Sequence, residues 1–214
     1  MLITLEGIEG SGKSTQVRHL VDFMREMGYE CLVTREPGGT RLGQKIRTIL
    51  LDPANTDVEP LAELLLYAAD RAQHIQQIIS PALAKGMTVI CDRFCDATTV
   101  YQGYARGLDL GTIDQLHRIV LNGLIPDLTL LFDLPVEIGL SRAFSAVGSG
   151  DRRESETRFE QEALAFHERV RNGYLSLARL NPERFRILNA ARAETDVRHQ
   201  MIHVVRQHAG RASG

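Results

Sequence analysis

The chain has 214 residues, 43% of them hydrophobic and 24% charged, which suits one domain with one buried core. Its 25 Lys and Arg against 27 Asp and Glu leave a formal net charge of −2, so a general nucleic-acid binder is excluded and any anion must be held by local groups. No apolar run reaches the roughly 18 residues of a membrane span, and no basic-then-apolar secretion signal opens the sequence. Three cysteines, Cys31, Cys91 and Cys95, read as reduced thiols of a cytoplasmic protein.

Apolar runs and helical spacings alternate along the chain. LITLE (2–6) predicts a buried strand closed by glycine. From Lys13 to Gly28 the apolar positions Val17, Leu20, Val21, Met24 and Met27 recur on one helical face, with Gly28 as the C-terminal stop. CLVTRE (31–36) is the second strand, PGGT a turn, and Thr40 the N-cap of a helix over 41–51. A helical stretch over 59–85 has Pro60 near its start, Gly86 after its end, and Pro81 as a kink or break. TVICDR (88–93) is the third strand, followed by helices near 96–105 and 112–123. LTLLFDL (128–134) is the fourth, then a helix over 136–145 and a polar, glycine-containing stretch, VGSGDRRESETR (147–158). A long helix follows to Leu180, with Phe159, Ala163, Phe166, Val170, Tyr174 and Leu177 on one face. FRILNA (185–190) is the fifth strand, and a helix over 194–208 the last, leaving 210–214 as a disordered tail. Apolar strands alternating with helices imply an α/β fold: a five-stranded parallel sheet with helices on both faces, as a single domain over 1–209.

The stretch GIEGSGKST fits G-x-x-x-x-G-K-[ST] at Gly7, Gly12, Lys13 and Ser14, after a strand and at the start of a helix, as a phosphate-binding loop requires. Gly7, Gly10 and Gly12 let backbone N–H groups approach a triphosphate. The helix start aims unpaired N–H groups and a positive dipole end at it. Lys13 reaches the β- and γ-phosphates, and the Ser14 hydroxyl can ligate Mg²⁺. The whole run Gly7, Ile8, Glu9, Gly10, Ser11, Gly12, Lys13, Ser14 and Thr15 is therefore the candidate nucleotide site.

VICDR places Asp92 and Arg93 at the C-terminal end of a strand, the edge where ligands bind in doubly wound sheets. Asp92 can orient the Mg²⁺ shell, and the planar Arg93 guanidinium suits a phosphate monoester. Tyr67 and Arg71 lie four apart on one helix, pairing a ring for a base with a cation for a phosphate. Thr98, Thr99, Tyr101 and Gln102 supply hydroxyls and an amide that either read a base edge or cap a helix. His199 and His203 have a zinc-like spacing without the glutamate of H-E-x-x-H and read as surface residues.

Taken together with TREPGGT (34–40), LLLYAADRAQH (64–74), TTVYQGYARGLD (98–109), PDLTLLFDLP (126–135) and RFEQEALAFHERVRNGYLSLA (158–178), these motifs resemble the bacterial-type thymidylate kinases, over residues 2 to 205. The resemblance implies a P-loop kinase fold and transfer of the γ-phosphoryl group of ATP to dTMP in dTTP synthesis, with Mg²⁺ and a homodimer. By the same resemblance, Arg71 and Arg93 hold the dTMP phosphate, Tyr67 stacks on thymine, Glu9 lies near the deoxyribose hydroxyl and the metal-water shell, Tyr101 crowds the sugar 2′ position, Gln102 and Thr98 border the base, and Arg142 packs on adenine. The loop residues Ile8, Glu9, Gly10 and Ser11 include no arginine, so the transition-state cation is expected from a mobile lid over 147–158, with Arg153 first, then Arg152 and Arg158. The sequence departs from the family where Thr157 precedes Arg158, which predicts loss of a lid ion pair, and where Ala97 replaces a common serine. Two alternatives stand beside this reading: a kinase for another nucleoside monophosphate, and a GTP-dependent switch, which would need an N-K-x-D stretch that the sequence lacks.

Overall fold

The computed structural model describes residues 1–150 and 153–212. Five parallel strands, β1 (Leu2–Glu6), β2 (Cys31–Arg35), β3 (Thr88–Asp92), β4 (Leu128–Asp133) and β5 (Phe185–Asn189), form one sheet in the order β2-β3-β1-β4-β5. Thr4 of β1 stands opposite Cys91 of β3 and Thr129 of β4. Side chains alternate between the two faces. Ile3, Leu5 and Ile90 enter the larger apolar cluster, whereas Leu2, Val89 and Cys91 enter a smaller one with Ile75, Ile79 and Ala82. The outer strands β2 and β5 are only partly buried, with Val33 and Ile187 exposed. Continuous burial belongs to the central strands, which have neighbours on both sides.

The helices follow the apolar spacing, with shifts at their ends. α1 (Lys13–Glu26) buries Leu20 and Met24 completely, but Met27, expected on the same face, lies beyond its last turn and is exposed. α2 (Arg41–Leu51) starts where the Thr40 hydroxyl accepts the Gly43 N–H. The stretch expected as one helix over 59–85 is divided into α3 (Pro60–His74), a π-helical turn at Ile75–Ile79, and α4 (Ser80–Ala84). Pro81 has no N–H for the carbonyl four residues back, so the α ladder cannot run through it and the wider turn absorbs the mismatch. α5 (Cys95–Thr98) continues into π-helical turns over Thr99–Ala105, here with no proline in the segment. α6 (Leu110–Leu121) starts two residues before the expected 112, because the Asp109 carboxylate caps it by accepting the Thr112 N–H.

Two boundaries near the site differ more. α7 (Val136–Gly148) runs three residues beyond the expected 145, into the stretch read as lid. α8 (Leu164–Leu180) begins later than expected, so Phe159 lies in the turn before it, still buried, with its ring edge-on to Tyr101 at 5.4 Å. A short 3₁₀ turn, Glu154–Glu156, lies between them. α9 (Glu194–Ala212) takes in three of the residues expected as tail, and residues 213–214 fall outside the described ones. All three cysteines are free, and no helix among the described residues is long and apolar enough to cross a membrane.

Candidate active site

All five strands end on one edge of the sheet, and a cavity of about 970 Å³ opens there. Between β1 and α1 the chain turns through positive φ at Gly7, Gly10 and Gly12. Gly10 is the tightest of these. A Cβ there would lie 1.9 Å from the carbonyl oxygen of Gly139 in the first turn of α7, so backbone packs directly on backbone. Gly7 and Ile8 sit behind the loop, the Ile8 side chain in the core, and their carbonyls accept hydrogen bonds from Lys13 Nζ at 3.0 Å, as does Ser11 Oγ. Glu9 and residues 10–15 line the cavity. Burial and then the neighbouring Arg93 lower the Lys13 pKa to about 8.

β3 delivers the next groups. Ser14 Oγ lies 3.4 Å from Asp92 Oδ2, and Asp92 Oδ1 is buried with no hydrogen-bond partner among the described residues. A hydroxyl beside a carboxylate with a free oxygen is a donor set that fits Mg²⁺. Arg93 takes φ of 66°, rare for a residue with a side chain, and its backbone N–H is tied to Leu5 O at 3.0 Å. Its guanidinium donates to Glu9 Oε1 (3.0 Å) and the Tyr174 hydroxyl (3.1 Å), and lies 5.0 Å above the Tyr101 ring. The Tyr101 hydroxyl donates to the same Glu9 oxygen at 2.6 Å. His167 Nδ1 is 3.4 Å from Glu9 Oε2. Burial alone would raise the Glu9 carboxyl, but His167, Arg93 and Tyr101 outweigh it and hold the pKa well below the usual carboxylate range. One turn of chain away, Glu6 accepts from the Tyr174 hydroxyl and the Phe94 N–H, and burial together with Asp96 pushes its pKa up to about 7.

The far wall carries the groups expected for an acceptor. Tyr67 and Arg71 both face the cavity from α3. Arg71 is 2% exposed, and each guanidinium nitrogen donates once: to Glu36 Oε2 (2.7 Å), Thr98 Oγ1 (2.9 Å) and the Phe94 carbonyl (3.0 Å). The other Glu36 oxygen is 2.8 Å from His74 Nδ1. Thr98, Tyr101 and Gln102 line the same wall from the π-helical segment and the turn before it. Arg142 of α7 bounds the opposite end and donates to the Ala190 carbonyl after β5 at 2.9 Å. Arg153 also lines the cavity, whereas Arg152 lies outside the described residues. Arg158 is not the open lid cation that the sequence offered. It is buried, donates to the Leu50 carbonyl at 2.5 Å and is paired with the Glu63 carboxylate. The ion pair expected to be lost at Thr157 has a counterpart one residue earlier, where Glu156 accepts from Arg47 Nη2 at 2.6 Å.

Sequence reasoning passed over Glu6, Glu36, Glu63, His167 and Tyr174. One signal was available: His167 and Tyr174 are seven apart on α8, hence on one helix face, and both reach the buried glutamates. Glu36 and Glu63 had none, because their partners come from distant segments.

A glycine loop at a helix start, a hydroxyl–carboxylate pair at the adjoining strand end and a second, arginine-rich wall across one cavity define a P-loop phosphotransferase. The comparisons with known proteins narrow this. The family model described as thymidylate kinase matches residues 5–202. The chain is 57% identical over 202 residues to a thymidylate kinase of Desulfosudis oleivorans, covering 94% of each chain. It is 53% identical over 210 residues to one of Desulforapulum autotrophicum, covering 98% of this chain and 92% of that one. The crystal structure of thymidylate kinase from Ehrlichia chaffeensis superposes with a TM-score of 0.75 at 35% identity, over 96% of this chain and 98% of the other. The chain belongs to the thymidylate kinase family and is an enzyme of that kind, a kinase that phosphorylates dTMP.

Proposed function

We propose that the enzyme transfers the γ-phosphoryl group of ATP to dTMP to give dTDP, with the phosphates held between the Lys13 loop and the Arg93 wall. The observation that carries this reading is one cavity lined together by residues 9–15 of the phosphate loop, by Arg93 after β3, and by Tyr67, Arg71 and Gln102 from α3 and the π-helical segment. Lys13, the loop N–H groups and the start of α1 hold the donor, and Thr15 closes that end. Arg142 packs on the adenine. Arg71 and Arg93 fix the dTMP phosphate in line with the γ-phosphorus. Both are already oriented by fixed partners, Arg71 by Glu36 and Arg93 by Glu9, so little reorganisation is needed when charge develops. Tyr67 stacks on the base, Thr98 and Gln102 border it, and Tyr101, tied to Glu9, crowds the sugar. Arg153 supplies the cation that meets the transferred group. The acceptor phosphate is itself an anion near neutral pH, so no general base is required.

Ser14 and Asp92 would hold Mg²⁺, directly or through water, the unpartnered Asp92 oxygen being the supporting observation. When bound, the metal neutralises charge on the donor phosphates. We place the enzyme in the cytoplasm, which its free cysteines suit. It acts there as a homodimer: α3 packs on α6, and the pair leaves Leu61, Leu65 and Ile119 exposed. Light scattering at micromolar concentration tests the dimer.

The first experiment is ADP release from ATP and Mg²⁺ with dTMP, dUMP, the thymine ribonucleotide, dCMP, AMP and GMP as acceptors. Turnover concentrated on dTMP is expected. Turnover indifferent to the acceptor, or dependent on GTP, would overturn the reading.

A further inference from the structure

Glu63 lies on α3 with no exposed surface, and its carboxylate gathers three side chains from two segments. Gln102 Nε2 donates to Oε1 at 2.8 Å. Arg106 bridges both oxygens at 3.4 Å from just past the π-helical turn, and also reaches Glu162 Oε1 at 2.6 Å. Arg158 pairs with Oε2 from the chain that leads into α8. Nothing in the phosphoryl transfer described above uses this carboxylate.

The consequence lies in the Gln102 amide. An amide has two faces, a carbonyl that accepts and an NH₂ that donates, and a free glutamine can turn either one to a ligand. A carboxylate only accepts, so it selects the NH₂. Gln102 is 1% exposed and lines the cavity, so its carbonyl oxygen remains as the group available to a base. Thymine presents an N–H donor at N3, whereas cytosine presents a lone pair there and an amino group at C4. A carbonyl held in place matches the first and repels the N3 lone pair of the second. An amide free to turn could serve both.

We propose that Glu63 is a specificity-determining positioning residue: by fixing the orientation of the Gln102 amide it sets the preference for thymine over cytosine. Through Arg158 it also ties the chain entering α8 to that same amide. The inference rests on Gln102 bordering the base, and its test separates the two ideas.

The experiment measures kcat/KM for dTMP and dCMP with the parent enzyme, Glu63→Gln, Gln102→Leu and the double variant. Glu63→Gln is expected to lower the dTMP-to-dCMP ratio about tenfold, mainly through KM for dTMP, since a buried hydrogen-bonding group that discriminates is worth at least that. In the Gln102→Leu background the Glu63 change should leave the ratio where it is. A merely structural role would depress both acceptors alike and multiply with Gln102→Leu, which would overturn the proposal. So would an unchanged ratio in Glu63→Gln while Gln102→Leu lowers it. If Gln102→Leu leaves the ratio intact, the placement of Gln102 at the base fails first, and the Glu63 inference with it. Should Glu63→Gln not fold, Glu63→Asp keeps a negative charge near both guanidinium groups while retracting the carboxylate by one methylene, out of reach of the amide, and the same outcomes apply.

Discussion

Lys13 and Arg93 each bring a cation into a buried space already holding Glu9 and Asp92. Replacing Lys13 by Ala should lower kcat/KM about a thousandfold, with kcat carrying most of the loss, because its contact with the transferred group strengthens in the transition state. Arg93→Ala should cost as much; near-normal kcat/KM there would refute its role at the acceptor phosphate. Arg142→Ala should act mainly on KM for ATP, and Arg153→Ala should lower kcat roughly a hundredfold with little change in either KM. Initial-rate kinetics with each substrate varied distinguishes the four. Asp70 offers a stability test. Burial, then Glu36, raises its pKa to about 6, and its Oδ1 accepts the Gly38 N–H. Below about pH 4 the folded and unfolded chains both hold this proton. As pH rises through 6 the folded carboxyl gives it up reluctantly, so the stability it contributes is lost over that window. Urea unfolding at pH 4.5 and pH 7 should show Asp70→Asn gaining on the parent as pH rises; a constant difference between the two proteins would contradict this.

Helix α7 and the phosphate loop form one packed unit. Gly139 in the first turn of α7 has no room for a methyl group either: a Cβ would stand 2.6 Å from Glu9 O and 2.8 Å from Ile8 Cδ1. Gly10→Ala and Gly139→Ala should therefore each destabilise the fold by about 2 kcal/mol or more and weaken ATP binding. At Gly12, by contrast, an added methyl group meets nothing within 4 Å, so Gly12→Ala carries only the strain of its positive φ of 84°. Thermal unfolding of the three variants should rank them accordingly. At this scale the sequence was readable where the signal was local. Apolar runs gave the strands, and Thr40, Gly28 and Pro60 mark real helix ends. Where contacts between distant segments set the boundary, the periodicity misled. Phe159 satisfies the apolar pattern of α8 because it is buried against Tyr101, not because it is helical. The π-helical turns at Ile75–Ile79 and Thr99–Ala105 leave no spacing signature distinct from an ordinary helix.

For the molecule as a whole, the parallel sheet and the donor end of the cavity were legible because a phosphate loop is contiguous in sequence. The acceptor end was legible only residue by residue. Tyr67 and Arg71 announce themselves by spacing, but Glu36, which holds Arg71, and Glu63, which holds Gln102, Arg106 and Arg158, are brought in by tertiary contact over 35 to 95 residues. The Arg47–Glu156 and Arg158–Glu63 pairs belong to this class too. They carry a mechanical meaning. On one side α7 is a rigid strut seated on the phosphate loop and ending at Gly148; on the other, Glu156 and Arg158 are moored to α2 and α3. Arg153 therefore sits close to one of these moorings. Two residues separate it from the mooring at Glu156, a tether of at most about 11 Å. The arginine's working radius is set by its distance along the chain from that knot, so adding a residue between Arg153 and Glu156 would move the cation itself.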